Sequence, residues 1–235
     1  MEILYDIRHF SDALNALNAR EAVLDYDSLG RTLAYSPFTS RIDSFEELKA
    51  KTSKQSVIIQ PCELHKFIQC AQSLDSKDLI TIDSFRIYQH IRAFDSQNDE
   101  RLSDSVFEHL EFLSHTRRYT TNLILHKDIF LKPYQMIESA LYGADCVLID
   151  SSFVSGKELD SLLVMACKLR LLPIVLTRDT NELKKAIFAK ARAVFLPKQN
   201  FEQLLSATPN SLLICSDFVS NSQALDIRFS FLMVN

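Results

Sequence analysis

Three charged residues each close a short apolar run. Asp83 ends Leu79-Ile-Thr-Ile-Asp83, Lys127 ends Asn122-Leu-Ile-Leu-His-Lys127, and Asp150 ends Cys146-Val-Leu-Ile-Asp150. Continuously apolar runs of this length read as strands covered on both faces, so the three charges stand together at strand ends. A lysine flanked by two carboxylates is first an ion pair, and that is the preferred reading of Lys127. Its other use is as a reactive amine, an acid or imine former, at a barrel mouth.

Other chemistries are excluded by residue type and spacing. The chain holds only three glycines, Gly30, Gly143 and Gly156, where average usage would give about 16. Nucleotide-phosphate loops need several close glycines so that backbone amides can approach the anion. The six histidines show no metal-ligand spacing, and His109 and His115 are too far apart for one helix face. The five cysteines form no Cys-x-x-Cys pair, which points to reduced core cysteines in a cytoplasmic protein. No metal and no cofactor are expected. A net charge of −4 lacks the basic footprint of a nucleic-acid binder, and Arg117-Arg118 reads as a solvated helix end. No apolar run reaches the roughly 18 residues of a membrane span, and the start lacks a basic secretory n-region.

The elements that must position these groups follow from periodicity. Ser155 and Glu158 form a capping box ahead of Leu159, Leu162, Leu163, Ala166 and Leu169 at helical spacing. Pro133 can begin a helix whose stripe is Tyr134, Ile137, Ala140 and Leu141, with Gly143 as its left-handed cap. Asp179 and Glu182 mark another helix start, and Asn200 can cap a short one. Phe107, Leu110, Phe112 and Leu113 make a further core-facing stripe. Strands alternate with them at Val57–Gln60, Leu79–Asp83, Asn122–Lys127, Cys146–Asp150, Pro173–Thr177, Ala193–Pro197, Ser211–Ser216 and Phe229–Val234. This alternation predicts an α/β fold, a (β/α)8 TIM-type barrel truncated after its eighth strand. Residues 57–235 form the barrel. Residues 1–56 form an N-terminal helical extension with a stripe at Ile7, Phe10, Leu14 and Leu17, and Thr32–Tyr35 is read as extension rather than a ninth strand. The polar run Asp95–Glu100 reads as a loop. With no eighth helix, the outer face of strand eight needs a cover: the N-terminal helix, a second copy of the chain or a protein partner.

The series His126-Lys127-Asp128-Ile-Phe130, Pro133-Tyr134-Gln135-Met-Ile-Glu138 and Gly143-Ala144-Asp145-Cys-Val-Leu-Ile149 resembles the indole-3-glycerol phosphate synthase family. The likeness is strongest from Asn122 to Ile149, moderate through Pro197 and faint elsewhere. It implies a barrel enzyme of tryptophan biosynthesis that closes and decarboxylates a carboxyphenylamino-deoxyribulose phosphate. Lys127 stands at the family's general-acid lysine.

Other positions depart from that pattern. One register puts Gln60 and Cys62 at the Glu-x-Lys pair of the first strand; the other, through Ser36-Pro37, puts Arg31 and Leu33 there. Leu176 takes the place of the fifth-strand glutamate, Pro197 and Gln199 stand in the sixth-strand motif, and Cys215-Ser216-Asp217 replaces Glu-Ser-Gly in the seventh. Asp217 adds a like charge where a phosphate dianion would sit, a repulsion of about 4 kcal/mol at about 4 Å and an effective dielectric of 20. The pocket candidates are therefore Gln60, Asp83, Asp150, Ser216 and Asp217 around Lys127. The expectation is a barrel that has lost the reaction, with Lys127 vestigial, and works by binding a protein partner. The alternative is an active synthase or another reaction using Lys127.

Overall fold

In the computed structural model, which describes residues 5–42, 56–59, 79–98, 105–217 and 227–228, the apolar runs pair into one parallel sheet ordered as in the chain. Its strands are β1 (Ser56–Ile59), β2 (Leu79–Asp83), β3 (Leu123–Lys127), β4 (Cys146–Asp150), β5 (Leu172–Leu176), β6 (Ala193–Phe195), β7 (Leu213–Ser216) and β8 (Ile227–Arg228). The helices are α1 (Phe10–Val23), α2 (Tyr26–Leu33), α3 (Ser84–Asn98), α4 (Glu108–Tyr119), α5 (Pro133–Leu141), α6 (Gly156–Lys168), α7 (Thr180–Phe188) and α8 (Phe201–Ala207). None of the described helices is long and apolar enough to cross a membrane.

The pleat sends alternate residues to opposite faces. Leu79, Leu125, Leu148, Ile174, Phe195 and Cys215 pack together on the inner face. Val147, Ile149, Val175 and Val194 face outward onto Leu159, Leu162 and Ala166 of α6. Each such aliphatic side chain contributes about 1.5–3 kcal/mol by leaving water. Asp83, Lys127 and Asp150 share the parity of the inner set, so the same alternation that builds the core aims all three charges into one end of the sheet.

Two helices flank that end with local signals visible in the chain. Pro133 opens α5, and the Gln135 side-chain oxygen accepts from the amides of Leu131 at 2.7 Å and Lys132 at 3.1 Å. That fixes the loop after Lys127. Gly143 follows α5 at φ 91°, and a Cβ there would lie 3.0 Å from both Arg117 Cγ and Phe38 Cγ. The Ser155 amide donates to Glu158 Oε2 at 2.7 Å, and the Glu158 amide to Ser155 Oγ at 3.3 Å, starting α6.

The opposite end of the sheet is closed by Asp145. Its carboxylate accepts from the amides of Ile124 (2.9 Å) and Arg41 (2.8 Å) and from Arg117 Nη1 (2.6 Å). Arg117 is therefore buried, not the solvated helix end expected from its neighbour Arg118.

Other expectations are corrected. Residues 7–9 form a 3-10 turn, whose tighter winding rotates the pattern, and α1 buries Ala13, Ala16, Leu17 and Arg20 while Ile7 is exposed. Thr32 and Leu33 end α2, so the register through Ser36-Pro37 falls on a helix and its flank rather than a strand. Residues 95–98 continue α3 instead of forming a loop. Leu17 and Leu29 pack on Tyr134 and Ile137 of α5, so the N-terminal helices lie against α5. That strand is Ile227–Arg228; the expected Phe229–Val234, like Gln60 and Cys62, lies outside the described residues.

Candidate active site

Lys127 is 2% exposed. Its register partner on β2 is Asp83, and Lys127 Nζ donates to Asp83 Oδ2 at 2.7 Å. Burial pulls the ammonium below its ordinary lysine value, while the Asp83 charge opposes the shift. A lysine tuned in this direction is better suited to giving up a proton than a solvated one. Arg86 Nε stands 3.5 Å from the same carboxylate oxygen.

Asp150, at the end of β4, is buried and pairs with a different cation. Arg178 Nη1 donates to Asp150 Oδ1 at 2.6 Å, and Nη2 contacts the other oxygen in a fork-to-fork pair. Arg178 lies just beyond Leu176, which is buried in the inner apolar cluster and carries no proton. The loops after β5 and β6 touch, with Asn200 Nδ2 donating to the Arg178 carbonyl at 2.8 Å. Asn200 stands at the start of α8, but its side chain makes this link instead of capping the helix.

At the end of β7 the Ser216 hydroxyl donates to the Leu196 carbonyl at 2.8 Å. Asp217 Oδ1 accepts from the Lys198 amide at 3.0 Å. Both tie β7 to the end of β6, and Asp217 spends its charge on a backbone donor rather than facing the strand ends bare. The site thus brings together Asp83, Lys127 and Asp150, with Asp217 following β7; Ser216, expected in the pocket, has instead the parity of outward-facing Ile214 and spends its hydroxyl on Leu196.

Three residues that sequence reasoning passed over belong here. Tyr5 lies with its ring over Lys127, the ammonium 4.2 Å from the centroid, and its hydroxyl donates to Asp83 Oδ1. No motif marks a tyrosine so far away in the chain. Arg178 is the second. The third, Asp128, was visible in the Lys-Asp-x-Phe series but had no role; burial pushes its carboxyl up to about 6, against the pull of Arg20. A carboxyl with that value changes protonation close to neutral pH.

Sequential parallel strands alternating with helices make this an α/β protein, and solved TIM barrels resemble it in fold. The crystal structure of KGPDC from Streptococcus mutans superposes with a TM-score of 0.55 at 9% identity, covering 76% of this chain and 86% of that one. Orotidine 5'-phosphate decarboxylase from Pyrococcus horikoshii OT3 gives 0.51 at 11% identity, covering 75% and 88%. At these identities the likeness is one of fold.

Sequence comparison is more specific. The indole-3-glycerol phosphate synthase family profile matches residues 104–223. Indole-3-glycerol phosphate synthase of Campylobacter jejuni strain 81-176 is 31% identical over 223 residues, 88% of this chain and 82% of that protein. The protein of the same name from Campylobacter curvus is 29% identical over 204 residues, 80% and 74% of the two chains. This chain belongs to the indole-3-glycerol phosphate synthase family.

The expectation of a non-catalytic, partner-binding barrel is overturned by these relatives. The match is not confined to the stretch around Lys127 but runs through 88% of the chain, to proteins named for the synthase itself. Asp217, read in the sequence as a bare like charge against the phosphate, is bonded to the Lys198 amide.

Proposed function

We propose that this chain is a carbon–carbon lyase of the indole-3-glycerol phosphate synthase type, built on a closed (β/α)8 barrel, and that Lys127 is its proton donor. In that reaction an aromatic ring carbon attacks a ketone carbonyl, the ring carboxylate leaves as carbon dioxide, and the former carbonyl oxygen leaves as water. The carbonyl oxygen takes up a proton as the new bond forms and another as it departs. Both steps ask for a positioned acid, and the proton shed as water leaves and the five-membered ring becomes aromatic asks for a base.

The observation that carries the reading is Lys127, buried at the end of β3 and held by Asp83 at 2.7 Å, in a chain 31% identical to a named synthase. Asp83 is placed to hold the ammonium protonated and aimed. Asp128, with its carboxyl near 6, is the candidate base among the described residues. With glycine turns absent after β7, the substrate phosphate is to be met by a side-chain cation, and Lys198, exposed on the loop after β6, is the candidate.

The test is formation of indole-3-glycerol phosphate by the purified chain, followed by its fluorescence. Wild type turns over, and Lys127→Ala loses about 10²–10⁴-fold in kcat, the usual worth of a positioned acid. Absence of turnover in wild type, or an unchanged rate in Lys127→Ala, overturns the assignment.

A further inference from the structure

Among the described residues, Tyr5 contacts charged groups at the strand ends. Its hydroxyl binds Asp83, its ring covers the Lys127 ammonium, and its carbonyl accepts from Arg178 Nη2 at 3.3 Å. Lys127 is left 2% exposed beneath it. A substrate carbonyl that is to receive a proton from Lys127 Nζ has to stand within hydrogen-bond distance of that atom, and Tyr5 covers it.

The segment that carries Tyr5 is attached differently from the helix that follows. Residues 7–9 form one 3-10 turn, held by the Asp6 side chain on the Arg8 amide at 2.8 Å and by the His9 amide on the Asp6 carbonyl at 2.9 Å. None of its three residues is buried. α1 is instead fixed to α5 by Leu17 and by Arg20 on Glu138 at 2.8 Å. The closed arrangement also leaves His9 Nδ1 buried without a hydrogen-bond partner among the described residues. Opening returns it to water and so offsets part of what is lost when Tyr5 lets go.

We infer that residues 5–9 are a latch on the active site, with Tyr5 as its bolt, and that the substrate enters by displacing Tyr5 from Lys127, Asp83 and Arg178 while α1 stays in place. The inference rests on the reading of Lys127 as the proton donor only for its catalytic consequence. The latch itself is a matter of access to one amine.

Timed acetylation of the full chain with acetic anhydride, read at Lys127 by peptide mass spectrometry, tests access without any assay of turnover. The exposed Lys157 and Lys168 serve as references. In Tyr5→Ala, Lys127 is expected to react at least about five-fold faster than in wild type with the references unchanged, because a locally opened site reacts in proportion to its open population. Tyr5→Phe, which keeps the ring but loses the bond to Asp83, is expected to fall between the two. An unchanged Lys127 rate in Tyr5→Ala overturns the latch.

Should Tyr5→Ala not fold, hydrogen exchange on wild type gives a second measure: the His9 amide is expected to exchange well before those of Ala16 and Leu17, and simultaneous exchange overturns the proposal. With substrate, Tyr5→Ala is expected to lower KM by about two- to five-fold, because the closed fraction no longer reduces apparent affinity. A wild-type chain without synthase turnover would overturn the assignment of function while leaving the labelling result to decide the latch.

Discussion

Arg20 on α1 and Glu138 on α5, 118 positions apart in the chain, form a buried two-pronged ion pair, with Nε to Oε1 at 2.8 Å and Nη2 to Oε2 at 3.2 Å. Arg20 Nη1 also lies 3.1 Å from His109 Nε2 on α4, so one guanidinium joins three helices. Burial drives the Glu138 carboxyl up to about 7 even with the arginine opposing it.

Removing one side of that pair strands the other in a dry site. Arg20→Ala is expected to destabilise the fold by about 3–5 kcal/mol, while the double replacement Arg20→Met with Glu138→Leu stays within about 1–2 kcal/mol of wild type, because no charge is left unpaired. Urea unfolding of wild type, the single replacement and the double replacement measures both numbers.

His126 faces outward from β3 and sets a pH dependence. The Ser139 hydroxyl donates to the Gln135 carbonyl at 2.7 Å, so it must accept from His126 Nδ1 at 2.8 Å. That leaves His126 Nε2 as an acceptor without a partner among the described residues. Burial first, and Arg20 second, lower its value to about 3. Below the unfolded value of about 6.5 the unfolded chain binds a proton that the folded chain refuses, so stability falls as pH falls from there toward 3. The stability of wild type relative to His126→Leu is expected to drop by up to about 1.4 kcal/mol per pH unit between pH 6 and 4. Urea midpoints at several pH values check it.

Gly143 occupies left-handed backbone and abuts Arg117, which holds Asp145. Gly143→Ala adds strain of about 1–2 kcal/mol from φ alone, and its Cβ must also push back Arg117 or Phe38. A loss of at least about 1 kcal/mol by urea unfolding is expected.

Asp83→Asn keeps the shape of the strand end and removes the charge that favours protonated Lys127. The alkaline limb of the pH–rate profile, where the acid is lost, is expected to move to lower pH, with kcat reduced by about ten-fold or more. An unmoved limb would mean that the group titrating there is not Lys127.

The strands were legible because both faces of the sheet are covered and the apolar runs are unbroken. Lys127, Asp83 and Asp150 could be placed on one side from parity alone. The helix from Pro133 was legible from residues that act locally, a fixed φ at its start and a positive one after its end. What escaped were relationships with no local signal. The choice of Asp83 over Asp150 as the lysine's partner depends on Arg178 claiming Asp150. Of the stripe Ile7, Phe10, Leu14 and Leu17, only Leu17 is buried, and Ile7 leaves the helix altogether because residues 7–9 wind as a 3-10 turn. Asp217 could be located but not its bond to Lys198, since a side chain's partner across a loop leaves no trace in spacing.

The bond between the Tyr5 carbonyl and Arg178 spans 173 positions. During synthesis the first of these residues leaves the ribosome long before β2 through β5 exist to receive it. Up to that point Lys127 stands open, and the nascent chain can complete its scaffold without its own tyrosine lodged in the funnel. Tyr5 is thus made well before the residues that seat it.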